Sequence, residues 1–293
     1  MPKGTLFFNP SSGAKLPEEE VLACEKACRE AGLDFIPLTR ELDLAKTIRE
    51  RMDQGQRLFV AAGGDGTIHH VVQPLVSTDA VLGVIPAGTY NHFARDLGLP
   101  LAWREALEVI VSGTTRQVDV ARVNDHYFVN NVSLGLYPEL VKRREAKGRD
   151  YPRWKARMQA LVGTLRKFSH VTLSIETAER QELLHTHVFI VSNNGYDLSR
   201  IGVEAPRESL DDGLLSVYWL PKLSRWRMMR FAGRYLAGRV RHTPGFRNFR
   251  TKEMRVQSPK AHLSVGIDGE VFMLTTPIEV TILPQSLSVR VLR

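Results

Sequence analysis

Four short apolar runs set the pattern of the first third of the chain, at residues 5–8, 33–38, 57–62 and 80–85. They read as near-continuous apolar stretches, as expected of strands buried on both faces of a parallel sheet. Helical spacings fall between them at 17–31, 41–53, 67–77 and 89–96, followed by another helix at 101–112. Strand–helix alternation of this kind predicts an α/β domain with helices on both sides of its sheet. After Val118-Asp119-Val120-Ala121 the texture changes. Alternating, β-branched runs at 126–133, 170–177, 185–192, 214–220, 254–257, 262–267, 278–283 and 287–292 predict an antiparallel β-sandwich. The expected organisation is a nucleotide-binding α/β domain over residues 1–124 and a β-rich domain over 125–293, with the last strand free to return to the first domain.

Three predicted strands end in turns rich in glycine and hydroxyl groups. Thr5–Phe8 runs into Asn9-Pro10-Ser11-Ser12-Gly13, and Phe59–Ala62 into Gly63-Gly64-Asp65-Gly66-Thr67. Val81–Ile85 runs into Pro86-Ala87-Gly88-Thr89, with Thr89 placed to cap the next helix. Glycine permits positive φ and lets a ligand approach without a Cβ in the way. The amides of such a turn, with a helix dipole behind them, suit an anion. Asp65 among those amides would repel an anion unless Mg²⁺ or a transferred proton is involved, which points to phosphoryl transfer. Adjacent turns at the carboxyl ends of parallel strands form the crevice where open α/β sheets bind ligands.

These motifs resemble the diacylglycerol kinase catalytic-domain family, which includes bacterial soluble lipid kinases and sphingosine kinases. The resemblance rests on Asn-Pro-x-Ser-Gly at 9–13, Gly-Gly-Asp-Gly-Thr at 63–67 and Pro-x-Gly-Thr-x-Asn-x-Phe-Ala-Arg at 86–95. It continues through Asn130–Gly135, Asp211-Asp212-Gly213 and Asp268-Gly269-Glu270, in order along almost the whole chain. It implies a two-domain fold with the active site in the cleft between the domains, and ATP-dependent phosphorylation of diacylglycerol or a related lipid alcohol. It also implies a nucleotide site of Asn9 to Gly13, Thr39, Gly63 to His69 (including Ile68) and Thr89.

By the same resemblance Glu270 is the proton acceptor with Asp268 beside it, and Asp65 and Asp119 organise Mg²⁺ and the network around the base. Read alone, Asp268-Gly269 is more simply a hairpin turn. The carboxylate of Asp212 and the main-chain oxygens of Ser209 and Leu214 match the family's structural Mg²⁺ loop, which also reads as a simple turn. Two positions depart from the family pattern. His70 and His92 stand where many members carry an acid, replacing a carboxylate with a group of near-neutral pKa.

Charge adds a partner. The chain is +8 overall, but its positive field is concentrated in two segments. Lys142–His170 holds ten basic residues against two acids, and Lys222–Arg255 holds eleven against Glu253 alone. Tyr151, Trp154, Met158, Leu161, Leu165 and Phe168 form one helical stripe flanked by basic residues. That pattern fits an interfacial helix on an anionic membrane, or a helix packed on its own domain. No recognised nucleic-acid motif accompanies the charge. No apolar run reaches the roughly 18–20 residues that span a bilayer. The N-terminus enters a strand at once, without a secretory leader. Cys24 and Cys28, on one helical face, read as reduced thiols. A cytoplasmic lipid kinase, peripheral at the membrane's inner face and forming a homodimer, is the resulting expectation. An NAD kinase-like enzyme and a non-catalytic lipid-binding protein are the alternatives.

Overall fold

The computed structural model describes residues 3–13, 17–135, 170–195, 209–222 and 247–293. The basic helical stretches expected at 151–168 and 223–240 lie outside the described residues. The chain divides into two compact units. One comprises Met1–Val120, Leu210–Gly213 and Leu283–Arg293, and the other Ala121–Ser209 and Leu214–Ile282.

The first unit alternates strand and helix: β1 (Gly4–Phe8), α1 (Glu18–Glu30), β2 (Leu33–Pro37), α2 (Leu44–Asp53), β3 (Leu58–Gly63), α3 (Asp65–Val72), β4 (Val81–Pro86), α4 (His92–Asp96) and α5 (Trp103–Ser112). The strands are parallel in the order β4-β3-β1-β2. β1 is buried at every position, and β3 and β4 at every position but the first. Strand geometry sends alternate residues to opposite faces. Leu6, Phe8, Val60, Ala62 and Ile85 pack with Cys24 and Cys28 of α1 and Ala106 and Ile110 of α5. Phe7, Phe59 and Ala61, between them, are as deeply buried on the other side, where α3 packs on β3 and α2. Each large apolar side chain so buried contributes about 1.5–3 kcal/mol. That two-sided burial is why these strands carry no alternation in sequence.

The second unit is antiparallel. It contains β6 (His126–Phe128), β7 (Asn131–Gly135), β8 (Val171–Glu176), β9 (Gln181–Asn193), β10 (Leu215–Pro221), β11 (Arg247–Thr251), β12 (Glu253–Gln257), β13 (His262–Ile267) and β14 (Glu270–Thr275). The strands run in the order β14-β13-β7-β9-β8-β12, with β10 also paired to β9 and carrying β11. Inward residues such as Leu134, Ile175, Phe189, Val217 and Val265 form its core. β12 shows strict alternation, with Met254 and Val256 buried between exposed Glu253, Arg255 and Gln257.

Two long strands, β5 (Thr114–Val123) and β15 (Ile278–Val291), contribute residues to both units. β15 pairs antiparallel with β12 over Ile278–Thr281, then parallel with β4 at Ser288 and Val289. The two strands expected at 278–283 and 287–292 are therefore one. Pro284 does not end the strand, and the left-handed residue Gln285 (φ 50°) is accommodated within it. Conversely, the run expected at 126–133 is broken at Val129-Asn130, where the backbone turns to meet a carboxylate described below. β11 and β14 are additional strands that the patterning did not indicate.

Candidate active site

The three glycine turns of the first unit meet backbone against backbone. A Cβ on Gly88 would lie 2.5 Å from the Cα of Gly64, and one on Gly13 would overlap the carbonyl oxygen of Ala87. A Cβ on Gly63 would strike the Thr67 side chain. Main-chain bonds join the turns: Asn9 N–H donates to Ala62 O (2.9 Å) and Ala87 N–H to Gly63 O (2.8 Å). The Asn9 side chain donates through Nδ2 to Thr67 Oγ1 (2.9 Å), while its Oδ1 accepts from Ser11 N–H (2.9 Å). Positive φ explains Gly13 (φ 56°), but Gly64 has φ −92° and owes its identity to close packing.

Helix α3 starts at Asp65, two residues before Thr67, with Gly64 as its N-cap. Its first internal bond runs from Ile68 N–H to Gly64 O (3.1 Å), so the amides of Gly66 and Thr67 precede the hydrogen-bonded ladder. Ile68 must be removed from the nucleotide-binding set. Its amide belongs to that ladder and its side chain is fully buried in the core. The His69 side chain is also buried. Thr39 and Thr89 are exposed, as are Pro10 and Ser11.

Thr89 is not the N-cap of the next helix. Helix α4 begins at His92, and the residue before it, Asn91, is buried and left-handed (φ 51°). Asn91 instead clamps the third turn, its Oδ1 accepting from Gly88 N–H (2.8 Å) and its Nδ2 donating to Gly88 O (3.1 Å). Sequence reasoning quoted Asn91 without giving it a role. The available signal was the three-residue spacing from Gly88, short enough for a side chain to close on its own turn. Asp65 Oδ1 accepts from Phe93 N–H in the first turn of α4 (3.3 Å), linking the second turn to the third. His92, one of the two departures, stacks on Tyr90 with ring centroids 5.5 Å apart and planes 10° from parallel.

The first unit also holds the acidic loop. Asp119 is almost fully buried, accepting from Gly213 N–H (2.7 Å) and Gln285 N–H (2.8 Å) while donating its own N–H to Leu210 O (2.8 Å). It fastens the 210–213 stretch to the unit. Asp211 pairs with Arg116 (2.9 Å), and neighbouring Asp212 is partly exposed. In the second unit Leu214 O accepts from Asn194 N–H (3.1 Å), and Ser209 is partly exposed. A carboxylate with main-chain carbonyls is an all-oxygen donor set, the chemistry Mg²⁺ prefers.

The second unit carries the other predicted carboxylates. Asp268 and Gly269 are the two central residues of the β13–β14 hairpin, both with positive φ (47° and 94°), the signature of a type I′ turn. Asp268 is 6% exposed, and its carboxylate accepts from three consecutive amides. Val129 N–H reaches Oδ2 (2.9 Å), while Asn130 and Asn131 N–H reach Oδ1 (2.8 and 3.1 Å). Three main-chain amides thus hold this carboxylate against the 129–131 segment. Glu270, the first residue of β14, is half-buried beside it in sequence and pairs across the hairpin with Ile267.

The described chain is thus a parallel α/β unit with glycine turns at its strand ends and an antiparallel β unit. Comparison with known proteins identifies its family. Residues 3–123 match the diacylglycerol kinase catalytic domain, and residues 137–291 match the YegS C-terminal NAD kinase beta sandwich-like domain. The chain belongs to the diacylglycerol kinase catalytic-domain family. It is 27% identical to a diacylglycerol kinase of Bacillus subtilis, over 92% of this chain and 90% of that one. An uncharacterised protein of Synechocystis sp. is 28% identical over 98% of this chain and 69% of its own length. A crystal structure of a diacylglycerol kinase from Bacillus anthracis shares the fold at 19% identity, with a TM-score of 0.71 covering 99% of this chain and 97% of the other. Among the described residues no helix is long and apolar enough to cross a membrane.

Proposed function

We propose that this chain is an ATP-dependent lipid kinase that transfers the γ-phosphoryl group to the hydroxyl of diacylglycerol or a related lipid alcohol. The observation that carries the reading is the packing of three glycine turns at the carboxyl ends of β1, β3 and β4, joined by Asn9 and Asp65, with Asn91 closing the third turn on itself. The amides of Gly66 and Thr67 and the hydroxyl of Thr89 hold phosphate oxygens. Asn9 to Gly13 and Thr39 line the nucleotide. Phosphoryl transfer needs chiefly positioning and charge stabilisation, which such a pre-packed cluster supplies without reorganisation. Asp65 would organise the catalytic Mg²⁺, and Asp212 with the main-chain oxygens of Ser209 and Leu214 would hold a structural one. When bound, Mg²⁺ would supply charge stabilisation to the transferring group. Glu270 removes the proton from the lipid hydroxyl, oriented by the hairpin that Asp268 anchors. The basic segments at 142–170 and 222–255 bring the enzyme, as a homodimer, to an anionic membrane from the cytoplasm.

Labelled-phosphate transfer from ATP onto a panel of lipid alcohols and NAD, in mixed micelles with Mg²⁺, tests this. Labelled lipid is expected, together with loss of turnover in a folded Asp65→Ala protein. Labelled NAD would favour an NAD kinase, the reading that the NAD kinase-like description of the C-terminal match keeps in view. No transfer to any acceptor would leave a non-catalytic lipid-binding protein. Sedimentation with anionic and neutral vesicles at two salt concentrations tests the membrane docking separately, and equal binding to both would refute it.

A further inference from the structure

Beneath the turn cluster the first unit holds a cavity of about 220 Å³ that the phosphoryl-transfer reading does not use. Among the described residues its walls include Phe8, Ala62, Ile85, Leu101, Trp103 and Cys24, so they are overwhelmingly apolar. Trp103 is held in place from two sides, donating through Nε1 to Glu20 (2.8 Å) and lying under the Arg104 guanidinium (4.1 Å). Leu101 is 43% exposed and Ala102 beside it is also exposed, so this side of the cavity meets solvent. Cys24 is one of the lining residues, and Cys28 lies one helical turn behind it with Sγ···Sγ 4.0 Å.

We propose that Cys24 is a covalent modification site for small uncharged electrophiles of the α,β-unsaturated carbonyl class, which enter through this cavity. The volume suits one ring or a short chain, since an apolar cavity of about 150 Å³ is enough to hold benzene. The walls have little to offer a charged reagent, which would have to shed its water without compensation. Cys28 prepares the nucleophile. The contact between the two sulfurs holds the Cys24 thiol below its ordinary pKa, against the opposing effects of burial and the Glu20 carboxylate and with help from Arg104. Cys28 itself is pushed strongly upward, first by that contact and then by burial. In the reaction the Cys24 sulfur forms a C–S bond to the β-carbon, the π pair moves to the α-carbon, and that carbon takes a proton from solvent. Thiol and enone give a thioether with no further reactant. Ala87 belongs to the same cavity wall and its carbonyl faces Gly13, so an adduct bears on the turn cluster.

Native protein treated with N-ethylmaleimide, iodoacetamide or iodoacetate, followed by peptide mass spectrometry, tests the assignment. Cys24 should be alkylated by the two neutral reagents while Cys28 is spared. The ratio of iodoacetamide to iodoacetate rates should exceed that of the urea-unfolded chain by about tenfold or more. Cys28→Ala should move the pH midpoint of Cys24 alkylation upward. Ala102→Phe, at an exposed position beside the opening, should slow the reaction without changing the melting temperature. Alkylation of both cysteines together at the rate of global unfolding would overturn the proposal. So would indifference to reagent charge, or Ala102→Phe leaving the rate unchanged.

Discussion

The turn cluster of the first unit and the Asp268 hairpin of the second both involve backbone amides, yet they use them in opposite ways. In the hairpin, three consecutive amides, Val129 to Asn131, converge on a carboxylate supplied by the protein itself. In the turn cluster, the amides of Gly66 and Thr67 precede the first hydrogen bond of α3, at the end of the helix that attracts anions. The glycines differ in the same sense. Gly88 is required by space, with Gly64 pressed against it, whereas Gly269 has nothing within 4 Å of its missing Cβ and is required by its φ of 94°. One set of amides is closed on a carboxylate of the chain itself, and the other stands at a helix start, ahead of the intrahelical ladder.

The sharpest way to break this contrast is Asp268→Ala. It leaves three amides without their carboxylate and should destabilise the protein by about 3–5 kcal/mol, read from urea unfolding. A loss below about 1 kcal/mol would mean that the amides find other partners. Glu270→Gln comes next, with kcat expected to fall about 10²-fold while ATP affinity and unfolding midpoint hold. If Asp268→Asn removes turnover and Glu270→Gln does not, the two carboxylates must exchange roles. Gly88→Ala should cost about 1–3 kcal/mol of stability and weaken ATP binding measured by calorimetry, because the third turn is pushed off the second. Gly269→Ala should be mildest, about 1 kcal/mol from left-handed strain alone, with ATP affinity unchanged.

The parallel sheet was readable because each strand is a local apolar run and each turn follows at once. Gly63 to Thr67 announces its own geometry. What the chain does not announce locally was missed. Val271 to Leu274 of β14 is an unalternating run at the sheet edge, with Met273 exposed, so no period marks it. Pro284 reads as a break, yet the strand continues because Gln285 donates its amide to Asp119, 166 residues earlier. The role of Asp268 depends on amides 137 to 139 residues away, a contact that no spacing rule reaches. The glycines of these turns are permissive of positive φ and of close approach, and at Gly64 it is close approach to another backbone, that of Gly88, that applies.

Strand β15 has a consequence for how this protein is made. Ser288 and Val289 lie beside Val81 and Leu82, a closure across roughly two hundred residues, among the slowest kinds of contact for a chain to form. Until residues 288–289 leave the ribosome, β4 emerges with an unsatisfied edge while its other partner among the described strands, β3, is already translated. The nascent first unit thus presents an open row of hydrogen-bonding groups throughout synthesis of the second, and must be shielded from mispairing for that whole interval.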